Sequence, residues 1–248
     1  MDNRDALFES ERIIGTSQCD VSAKWKLHSM LEAIQDAGTS HCRRLGISSL
    51  DLRDRKLSWV IFRTDMFVYR YPELGEKVTV QTFTKGGNYK FYPRYYQVFD
   101  QNHEVVCKAG SLWMLMDILS RRTVSLNESG VVLPDYNGMN ELIAFSAVKR
   151  KIDGKEHTWT YQPVYNDIDL NGHVNNTMYA EWLCNALGIN MMKEYEVESL
   201  SIAYNYEILS TDLVTCKLCQ NSNEFLFQGS VDIKPSFEIH GETKRRQF

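Results

Sequence analysis

Three polar side chains at alternate positions, Asp169, Asn171 and His173, stand directly before an apolar segment with helical periodicity. The apolar residues that recur on one helical face are Val174, Met178, Trp182 and Ala186, with Leu183 and Leu187 beside them. The start of a helix presents free backbone N–H groups and the positive end of the helix dipole. A carboxylate, an amide and an imidazole at such a place suit chemistry on a carbonyl whose oxygen gains negative charge.

The backbone around these side chains is expected to turn tightly. Gly172 permits a close turn, and Asn175 or Asn176 is expected to cap a helix that runs from Val174 to Met192. The backbone N–H groups of Val174, Asn175 and Asn176 would then bind the developing oxyanion. The purely structural alternative is that the Asp and Asn side chains shape the turn while the His packs nearby.

A longer pattern surrounds these residues: Asp-x-Asn-x-His-Val-Asn-Asn, followed by a Tyr and a Trp. It resembles the signature of the acyl-ACP thioesterases, the plant plastidial fatty-acid-releasing enzymes and their bacterial relatives. The matching positions are Asp169, Asn171, His173, Val174, Asn175, Asn176, Tyr179 and Trp182. The resemblance implies hydrolysis of the thioester of a fatty acyl-ACP in fatty acid biosynthesis, with release of free fatty acid and holo-ACP. It favours the catalytic interpretation of the turn over the purely structural one.

A second acidic residue, Glu207, joins the candidate site through the same resemblance. Tyr204-x-x-Glu207 is similar to the family's Tyr-x-x-Glu-Cys segment, in which the Glu belongs to the active site. Alternation along a predicted strand from Val197 to Leu209 would otherwise make Glu207 a solvent-facing residue. Ile208 stands where the plant enzymes have Cys, which excludes a cysteine nucleophile at this position.

Two mechanisms fit these residue types. In the first, Asp169 attacks the thioester directly and forms a mixed anhydride; in the second, Asp169 orients a water molecule. In both, Glu207 acts as general base on water, and His173 positions or protonates groups. Asn171 would donate a hydrogen bond to a catalytic carboxylate or to the substrate. The sequence does not decide between the two mechanisms.

The order of predicted elements occurs twice along the chain, which indicates two repeated α+β units. The first copy has a strand at Glu11–Asp20, a helix at Lys24–Gly46, and strands at 56–71, 77–84, 89–100 and 103–119, with a hairpin turn at 85–88. The second copy has a strand at 157–165, the helix from Val174, and strands at 197–209, 213–220, 224–234 and 237–240. The resemblance implies that each unit is a hotdog, in which a curved antiparallel sheet wraps a long helix, and that the whole is a double hotdog.

The predicted units are residues 1–125, on the acyl-pocket side, and residues 156–248, which carry the catalytic residues, with a connecting segment at 126–155. The start of the first helix, Asp20 to Trp25, lacks the Asp-x-Asn-x-His set, so we expect one catalytic site per chain. Met30, Leu31 and Ile34 are candidates to line the acyl pocket, although core packing is the default for such residues.

Composition narrows the class of protein. A net charge of −4 argues against a nucleic-acid binder that relies on overall positive charge, and no apolar run is long enough to span a bilayer. Six scattered cysteines and an amino terminus without an apolar signal segment predict a bacterial cytoplasmic protein. Histidine spacing, the isolated Cys216-x-x-Cys219 pair and the lack of a Gly-rich nucleotide loop predict no metal and no organic cofactor. We expect a monomer or a homodimer.

The expected partner is acyl carrier protein bearing a fatty acyl chain, and the basic run Lys149–Lys151 is a candidate docking patch for that acidic protein. Acyl-CoA thioesterase activity on the same fold, a hotdog dehydratase and a non-catalytic acyl-chain binder remain as alternatives. The catalytic set with Glu207 argues against the binder, and the Val-Asn-Asn continuation argues against the dehydratase.

Overall fold

The computed structural model describes residues 5–87, 90–145 and 147–246, and the chain divides into two units, Met1–Phe145 (unit 1) and Ser146–Phe248 (unit 2). Each unit repeats the order predicted from the sequence, in which a strand and a helix precede the main run of strands. The predicted turn at 85–88 extends to Asn88, which lies outside the described residues.

Unit 1 is an antiparallel sheet with a long helix packed against it. Its described strands are β1 (Leu7–Ile13), β2 (Leu57–Val68), β3 (Lys77–Thr84), β4 (Tyr92–Phe99), β5 (Val105–Asp117) and β6 (Thr123–Val124). They pair in the order β1-β3-β4-β5-β2, with β6 beside β5. The helices are α1 (Leu27–Arg44), α2 (Ser49–Arg53) and α3 (Leu126–Ser129), and α1 packs on β1 and β3.

The apolar stripe predicted for the first helix is confirmed. Six of its seven members are less than 5% exposed, namely Leu27, Met30, Leu31, Ile34, Ala37 and His41. The seventh, Leu45, follows the last helical residue and is partly buried. Each large aliphatic side chain buried in this way contributes roughly 1.5–3 kcal/mol of transfer free energy. This burial fixes which face of α1 meets the sheet and which face is left for other uses.

The prediction for the first strand is wrong in its bounds. β1 ends at Ile13, because Gly15 opens a 3₁₀ turn over Thr16–Gln18 in which the Gln18 side chain accepts a hydrogen bond from the Gly15 N–H. The residues that follow, up to Trp25, form a second turn rather than the end of a strand.

Unit 2 repeats the arrangement on a smaller scale. Its described strands are β7 (Lys155–Tyr161), β8 (Tyr195–Tyr204), β9 (Val214–Gln220), β10 (Glu224–Val231) and β11 (Lys234–Arg245). They pair antiparallel in the order β8-β11-β10-β9-β7. The helices are α4 (Met178–Leu187) and α5 (Ile189–Glu194).

Two predictions for unit 2 need correction. The single predicted helix is broken at Gly188, whose φ of 85° no helical residue adopts. The last strand has twelve residues instead of the four predicted, and it lies between β8 and β10. Polar side chains obscured its pattern in the sequence, but these side chains make hydrogen bonds, such as that between His240 Nε2 and Glu224 Oε1 at 2.8 Å.

Candidate active site

The turn that carries the candidate residues lies at the surface of unit 2 and is closed by its own backbone. The Asp169 N–H donates to the His173 carbonyl at 2.8 Å, and the Gly172 N–H donates to the Asp169 carbonyl at 3.0 Å. Gly172 has a φ of 80°, a conformation that side chains disfavour, so the sequence expectation of a tight turn at this glycine is confirmed.

The Asp169 carboxylate holds this turn together. Its Oδ1 accepts hydrogen bonds from the N–H groups of Asn171 at 2.8 Å and His173 at 3.2 Å. Its Oδ2 accepts from the Asn171 side-chain amide at 3.3 Å. Asn171 therefore donates to a carboxylate, one of the two roles expected for it, and Asp169 fixes the position of both neighbours.

Glu207 lies on a loop rather than on a strand. β8 ends at Tyr204 because the next two N–H groups, of Asn205 and Tyr206, both donate to the Ser236 carbonyl, at 2.8 and 3.1 Å. The chain bends there, and Tyr206 becomes exposed while Ile208 is fully buried. The predicted strand alternation is therefore wrong from residue 205 onward.

The bend brings Glu207 beside the turn. The Val174 N–H donates to the Ile208 carbonyl at 2.8 Å, and His173 forms an isolated antiparallel bridge with Leu209. Glu207 Oε2 thereby lies 3.8 Å from His173 Nδ1. The two side chains are 41% and 31% exposed, so a small substrate group has access to both.

Two of the three expected oxyanion donors are engaged, which corrects the sequence expectation. The Val174 N–H donates to the Ile208 carbonyl, and the Asn175 N–H donates to the Asp167 carbonyl, both at 2.8 Å. No residue in the described part of the chain accepts a hydrogen bond from the Asn176 N–H. The N–H groups of Val174 and Asn175 are therefore not free to bind an oxyanion, because their hydrogen bonds attach the turn to the rest of unit 2.

A buried carboxylate beneath the turn escaped the sequence analysis. Asp167 is 2% exposed and accepts hydrogen bonds from the Tyr161 hydroxyl at 2.9 Å, the Val164 N–H at 2.7 Å and Trp182 Nε1 at 3.1 Å. Burial, followed by the hydrogen bond to Asp167, raises the pKa of Tyr161 to about 12. The sequence feature that could have pointed to Asp167 is its position two residues before Asp169.

The Tyr and Trp of the signature pack the helix against the sheet. Tyr179 stacks on Phe237 of β11 with ring centroids 4.3 Å apart, and Trp182 contacts Tyr161 of β7 at 4.6 Å. Burial, then the charges of Tyr204 and Asp169, raises the pKa of Tyr179. These side chains position the turn from below.

The helix begins at Met178, four residues later than predicted, and its N-cap is Thr177, which makes no side-chain capping hydrogen bond, so the predicted cap at Asn175 or Asn176 is wrong. The Asn175 side chain accepts hydrogen bonds from the Thr177 N–H at 3.0 Å and from the Thr177 hydroxyl at 3.1 Å.

Unit 1 contains the same turn with different side chains. Asp20 Oδ1 accepts from the N–H groups of Ser22 at 2.8 Å and Lys24 at 3.1 Å, and the Asp20 N–H donates to the Lys24 carbonyl at 2.8 Å. The Ala23 N–H donates to the Asp20 carbonyl at 3.0 Å, and Ala23 has a φ of 57°. Asp20 and Asp169 therefore hold equivalent positions.

The attachments of the two turns also correspond. The Trp25 N–H donates to the Pro72 carbonyl as the Val174 N–H donates to that of Ile208, each at 2.8 Å. Where unit 2 places His173 near Glu207, unit 1 places Lys24 Nζ 2.5 Å from the Glu73 carboxylate. Of these two turns, the one in unit 2 is therefore the one that places an imidazole beside an acid.

No three His, Cys, Asp or Glu side chains converge to hold a metal ion in the residues that the structure describes. Cys216 and Cys219 are buried free thiols, as expected, and burial raises the pKa of Cys216 to about 12.

In the basic run, Lys149 lies 2.5 Å from Glu224 and Arg150 lies 3.5 Å from Glu238. None of the described helices is both long and apolar enough to cross a membrane.

Comparison with known families agrees with this geometry. Residues 5–131 match the acyl-ACP thioesterase N-terminal domain, and residues 150–244 match the acyl-ACP thioesterase C-terminal domain. The chain belongs to the acyl-ACP thioesterase family. The turn of unit 2 lies inside the second match, and the resemblance of its signature to this family is confirmed.

Several curated proteins similar to this chain come from plants. It is 26% identical over 194 residues to the chloroplastic palmitoyl-acyl carrier protein thioesterase of Gossypium hirsutum, a match that covers 73% of this chain and 47% of the relative. It is 25% identical over 193 residues to the chloroplastic dodecanoyl-[acyl-carrier-protein] hydrolase of Cinnamomum camphora, covering 72% and 50%. The chain thus spans about half the length of these relatives.

Solved structures establish the fold of the chain as a double hotdog, as the resemblance implied. An acyl-ACP thioesterase from Bacteroides thetaiotaomicron matches with a TM-score of 0.81 at 18% identity, covering 98% of this chain and 100% of that one. The 12:0-ACP thioesterase from Umbellularia californica matches with a TM-score of 0.81 at 19% identity, covering 97% and 98%.

Proposed function

We propose that this protein hydrolyses the thioester of fatty acyl-ACP and releases free fatty acid and holo-ACP, with the site in the turn of unit 2. One observation carries the assignment: the bend after β8 brings Glu207 to 3.8 Å from His173, within a turn organised by Asp169. Family membership supports the substrate, since the relatives are named for acyl-carrier-protein thioesters.

In the proposed mechanism, Glu207 takes a proton from water, and the water oxygen attacks the thioester carbonyl carbon. A tetrahedral intermediate forms, the carbon–sulfur bond breaks, and the thiolate leaves with a proton supplied through His173. Both side chains are partly exposed, which allows the acyl group and a water molecule to approach together. A distance of 3.8 Å between Nδ1 and Oε2 is longer than a hydrogen bond, so the pair has room to admit a shared group.

Asp169 positions the other groups in this mechanism. Its carboxylate oxygens already accept three hydrogen bonds, from two backbone N–H groups and the Asn171 amide, so three of about four lone-pair sites are occupied and the carboxylate is a weaker nucleophile for direct attack. The direct-attack alternative has its own signature. A Glu207→Gln variant incubated with acyl-ACP would accumulate an acylated Asp169 peptide, detectable by mass spectrometry, whereas the proposed mechanism leaves that peptide unmodified.

For the oxyanion we propose the Asn176 N–H and the Asn171 side-chain amide. The Asn176 N–H is not used by the described residues, and an amide group has a second N–H beyond the one given to Asp169. Donors held in place before the reaction stabilise developing charge without reorganisation.

The decisive assay measures free thiol and free acid released from a series of acyl-ACPs and from matched acyl-CoAs. We expect hydrolysis of acyl-ACP, and a His173→Ala variant that is slower by roughly 100-fold or more. The matched control is Lys24→Ala, which alters the equivalent position of unit 1 and should retain activity. Preference for acyl-CoA would reassign the carrier, and full activity of His173→Ala would remove the site from unit 2.

We further propose a bacterial cytoplasmic setting. All six cysteines, each within the described part of the chain, are free thiols, which suits a reducing compartment.

Acyl carrier protein is the proposed partner. Reversing the charge of Lys149, Arg150 and Lys151 together should raise the KM for acyl-ACP, because an acidic partner would then be repelled, and an unchanged KM would exclude this run as the docking patch.

A further inference from the structure

Two segments of unit 1 that are far apart in the sequence form one exposed surface. The first, residues 53–56, runs from the end of α2 to the residue before β2. The second, residues 117–122, runs from the end of β5 through the turn before β6. The Ile118 N–H donates to the Lys56 carbonyl at 2.8 Å, so backbone contact holds the two segments side by side. We call these two segments the basic surface.

The basic surface concentrates positive charge in a chain whose net charge is −4. Its ten residues include two carboxylates, Asp54 and Asp117. Its exposed cations are Arg53, Arg55, Lys56, Arg121 and Arg122. The Asp117 carboxylate accepts from the Ser120 N–H at 2.7 Å and thereby closes its own turn. The surface therefore presents an excess of positive charge to solvent.

Three of these cations are available to a partner. Arg53, Lys56 and Arg122 form no ion pair with any residue that the structure describes. In the basic run of unit 2, by contrast, Lys149 and Arg150 each contact a carboxylate of that unit, at 2.5 and 3.5 Å. An acidic protein can thus pair with the basic surface without displacing an existing ion pair.

The backbone gives a second, independent reason to assign a role to these side chains. Lys56 has a φ of 56° and Arg121 a φ of 57°, in the left-handed region that residues with a Cβ disfavour. A glycine takes this conformation without steric cost, as Gly46 does after α1 with a φ of 67°. Backbone geometry therefore does not explain a lysine and an arginine at these positions, whereas an interaction of their side chains does.

Exposed aliphatic side chains lie among the cations. Leu119, in the turn, is 77% exposed, and its neighbour Ile118 is 44% exposed. Leu50, which is 64% exposed, lies three residues before Arg53 and therefore on the same face of α2. Protein interfaces combine a polar, charged rim with an apolar centre, and this surface offers both.

We propose that the basic surface is where unit 1 docks the acidic protein that carries the acyl chain, acyl carrier protein. The proposal rests on the thioesterase function proposed above and names the surface that its partner contacts. Carboxylates of the partner pair with Arg53, Lys56 and Arg122, and an apolar side chain of the partner covers Leu119. Complementary charges speed the encounter and fix the orientation of the partner. Because its cations are not already paired, this surface contributes more to docking than the basic run of unit 2.

The first test compares two double charge reversals that change the net charge equally. Arg53→Glu/Arg122→Glu alters the basic surface, and the control, Lys193→Glu/Lys234→Glu, alters two exposed lysines of unit 2. None of these four side chains makes a hydrogen bond or ion pair with a residue that the structure describes, so both variants should fold. Thermal unfolding curves that match the wild type check this.

The KM for acyl-ACP should rise with salt in the wild type, because ions screen the charges. Arg53→Glu/Arg122→Glu should raise that KM roughly tenfold or more at low salt, with kcat unchanged and a flatter salt dependence. The KM for the matching acyl-pantetheine, which lacks the carrier protein, should not change. An unchanged KM for acyl-ACP, an equal rise in the control variant, or an equal rise with acyl-pantetheine would each overturn the proposal.

Leu119→Ser tests the apolar contact. It should raise the KM for acyl-ACP roughly threefold or more, because covering a leucine is favourable. Its control is Ile233→Ser, in the turn between β10 and β11 of unit 2, where the side chain is 95% exposed and lies outside the basic surface. Equal KM values for the two variants would contradict the proposed contact.

The second test separates the docking surface from the proposed function. Binding of fluorescently labelled holo-ACP is followed by anisotropy, which needs no hydrolysis. Binding that Arg53→Glu/Arg122→Glu weakens, without hydrolysis of any acyl-ACP, would retain the surface and reject the enzyme. Hydrolysis of acyl-ACP with equal holo-ACP binding by variant and wild type would retain the enzyme and reject the surface.

An anionic bilayer presents the same charge as an acidic protein, so vesicles of phosphatidylglycerol complete the comparison. We expect the variant to lose affinity for holo-ACP. Loss of vesicle binding in the variant, with holo-ACP binding unchanged, would assign the surface to a bilayer and overturn the proposal. Absence of holo-ACP binding to the wild type would overturn it as well.

Discussion

The turns at Asp20 and Asp169 have the same backbone and different chemistry. In each, the aspartate accepts from the N–H groups two and four residues later, and the residue that follows the turn donates to a carbonyl from a distant part of its own unit. Because the same turn occurs in unit 1 without the acid–imidazole pair, catalysis is not required to explain this architecture. An aspartate at this position is first a structural residue.

What distinguishes the two turns is the residue at the fourth position and the acid near it. In unit 1, Lys24 meets Glu73 at 2.5 Å in a closed ion pair, and an ammonium group has hydrogen-bond donors but no acceptor. In unit 2, His173 and Glu207 lie 3.8 Å apart, and an imidazole ring can act as a general acid or a general base. The catalytic assignment therefore depends on this pair more than on the aspartate.

The largest expected effect comes from replacing the two aspartates. Asp169→Ala should lower kcat/KM for acyl-ACP by roughly 100- to 10,000-fold, because Asn171 and His173 lose the carboxylate that holds them. Asp20→Ala removes the equivalent two bonds and should cost about 1–2 kcal/mol of stability with activity retained. Similar activity losses in both variants would show that the turns act as a pair.

The next largest expected effect is a difference between the two units in how their stability depends on pH. Burial, followed by the Arg94 charge, lowers the pKa of His41 in unit 1 to about 4, so the folded state binds fewer protons than the unfolded state between about pH 6.5 and pH 4. Stability is greatest above that range and falls as the pH drops through it, by at most roughly 3 kcal/mol. In unit 2, hydrogen bonds from Lys149 and His240 hold the pKa of Glu224 at about 2, and its contribution is lost only below about pH 4.5.

Urea unfolding across this pH range checks the assignment. A His41→Gln variant should show a flatter dependence on pH between 6.5 and 4 than the wild type, although its stability at neutral pH is lower. Parallel curves for the two proteins would mean that His41 does not titrate as its surroundings imply.

A smaller effect is expected from the tryptophan below the active turn. Trp182→Phe removes one of three donors to the buried Asp167 carboxylate and should cost about 1–3 kcal/mol for that bond. Trp25→Phe in unit 1 removes the same ring volume, but no residue in the described part of the chain accepts a hydrogen bond from Trp25 Nε1. The loss of unfolding free energy in Trp182→Phe minus that in Trp25→Phe gives the contribution of the hydrogen bond from Trp182 to Asp167. A difference near zero would show that this bond does not stabilise the protein.

The smallest expected effects come from the third position after each aspartate. Ala23 has a φ of 57°, so Ala23→Gly should relieve strain and stabilise unit 1 by about 1 kcal/mol. Gly172→Ala should destabilise unit 2 by a similar amount, since a Cβ there meets nothing within 4 Å and only the φ of 80° opposes it. Thermal unfolding of both variants measures the pair, and shifts of the same sign would contradict the equivalence of the turns.

Local patterns predicted much of this molecule. β3 occupies the predicted residues 77–84, the α1 stripe is buried as its periodicity indicates, and the signature places Asp169, Asn171 and His173 on one turn. These features depend on neighbours in the chain, which a sequence displays directly.

Features that depend on contacts between residues far apart in the sequence were not predicted. The bend at Asn205 depends on the Ser236 carbonyl, and the oxyanion donors of Val174 and Asn175 are used by Ile208 and Asp167. The basic surface of unit 1 joins residues 53–56 with residues 117–122, which meet because the Ile118 N–H donates to the Lys56 carbonyl. No local periodicity reports such pairings.

The most direct measurement compares Glu207→Gln with Glu73→Gln, the acids that face the fourth position of each turn. The rate of thiol release from acyl-ACP should fall by roughly 100- to 10,000-fold in Glu207→Gln, because amide nitrogen and oxygen cannot take the proton from water. Glu73→Gln should release thiol at the wild-type rate. Near-normal hydrolysis by Glu207→Gln would contradict the account, since no general base would then be needed at that position.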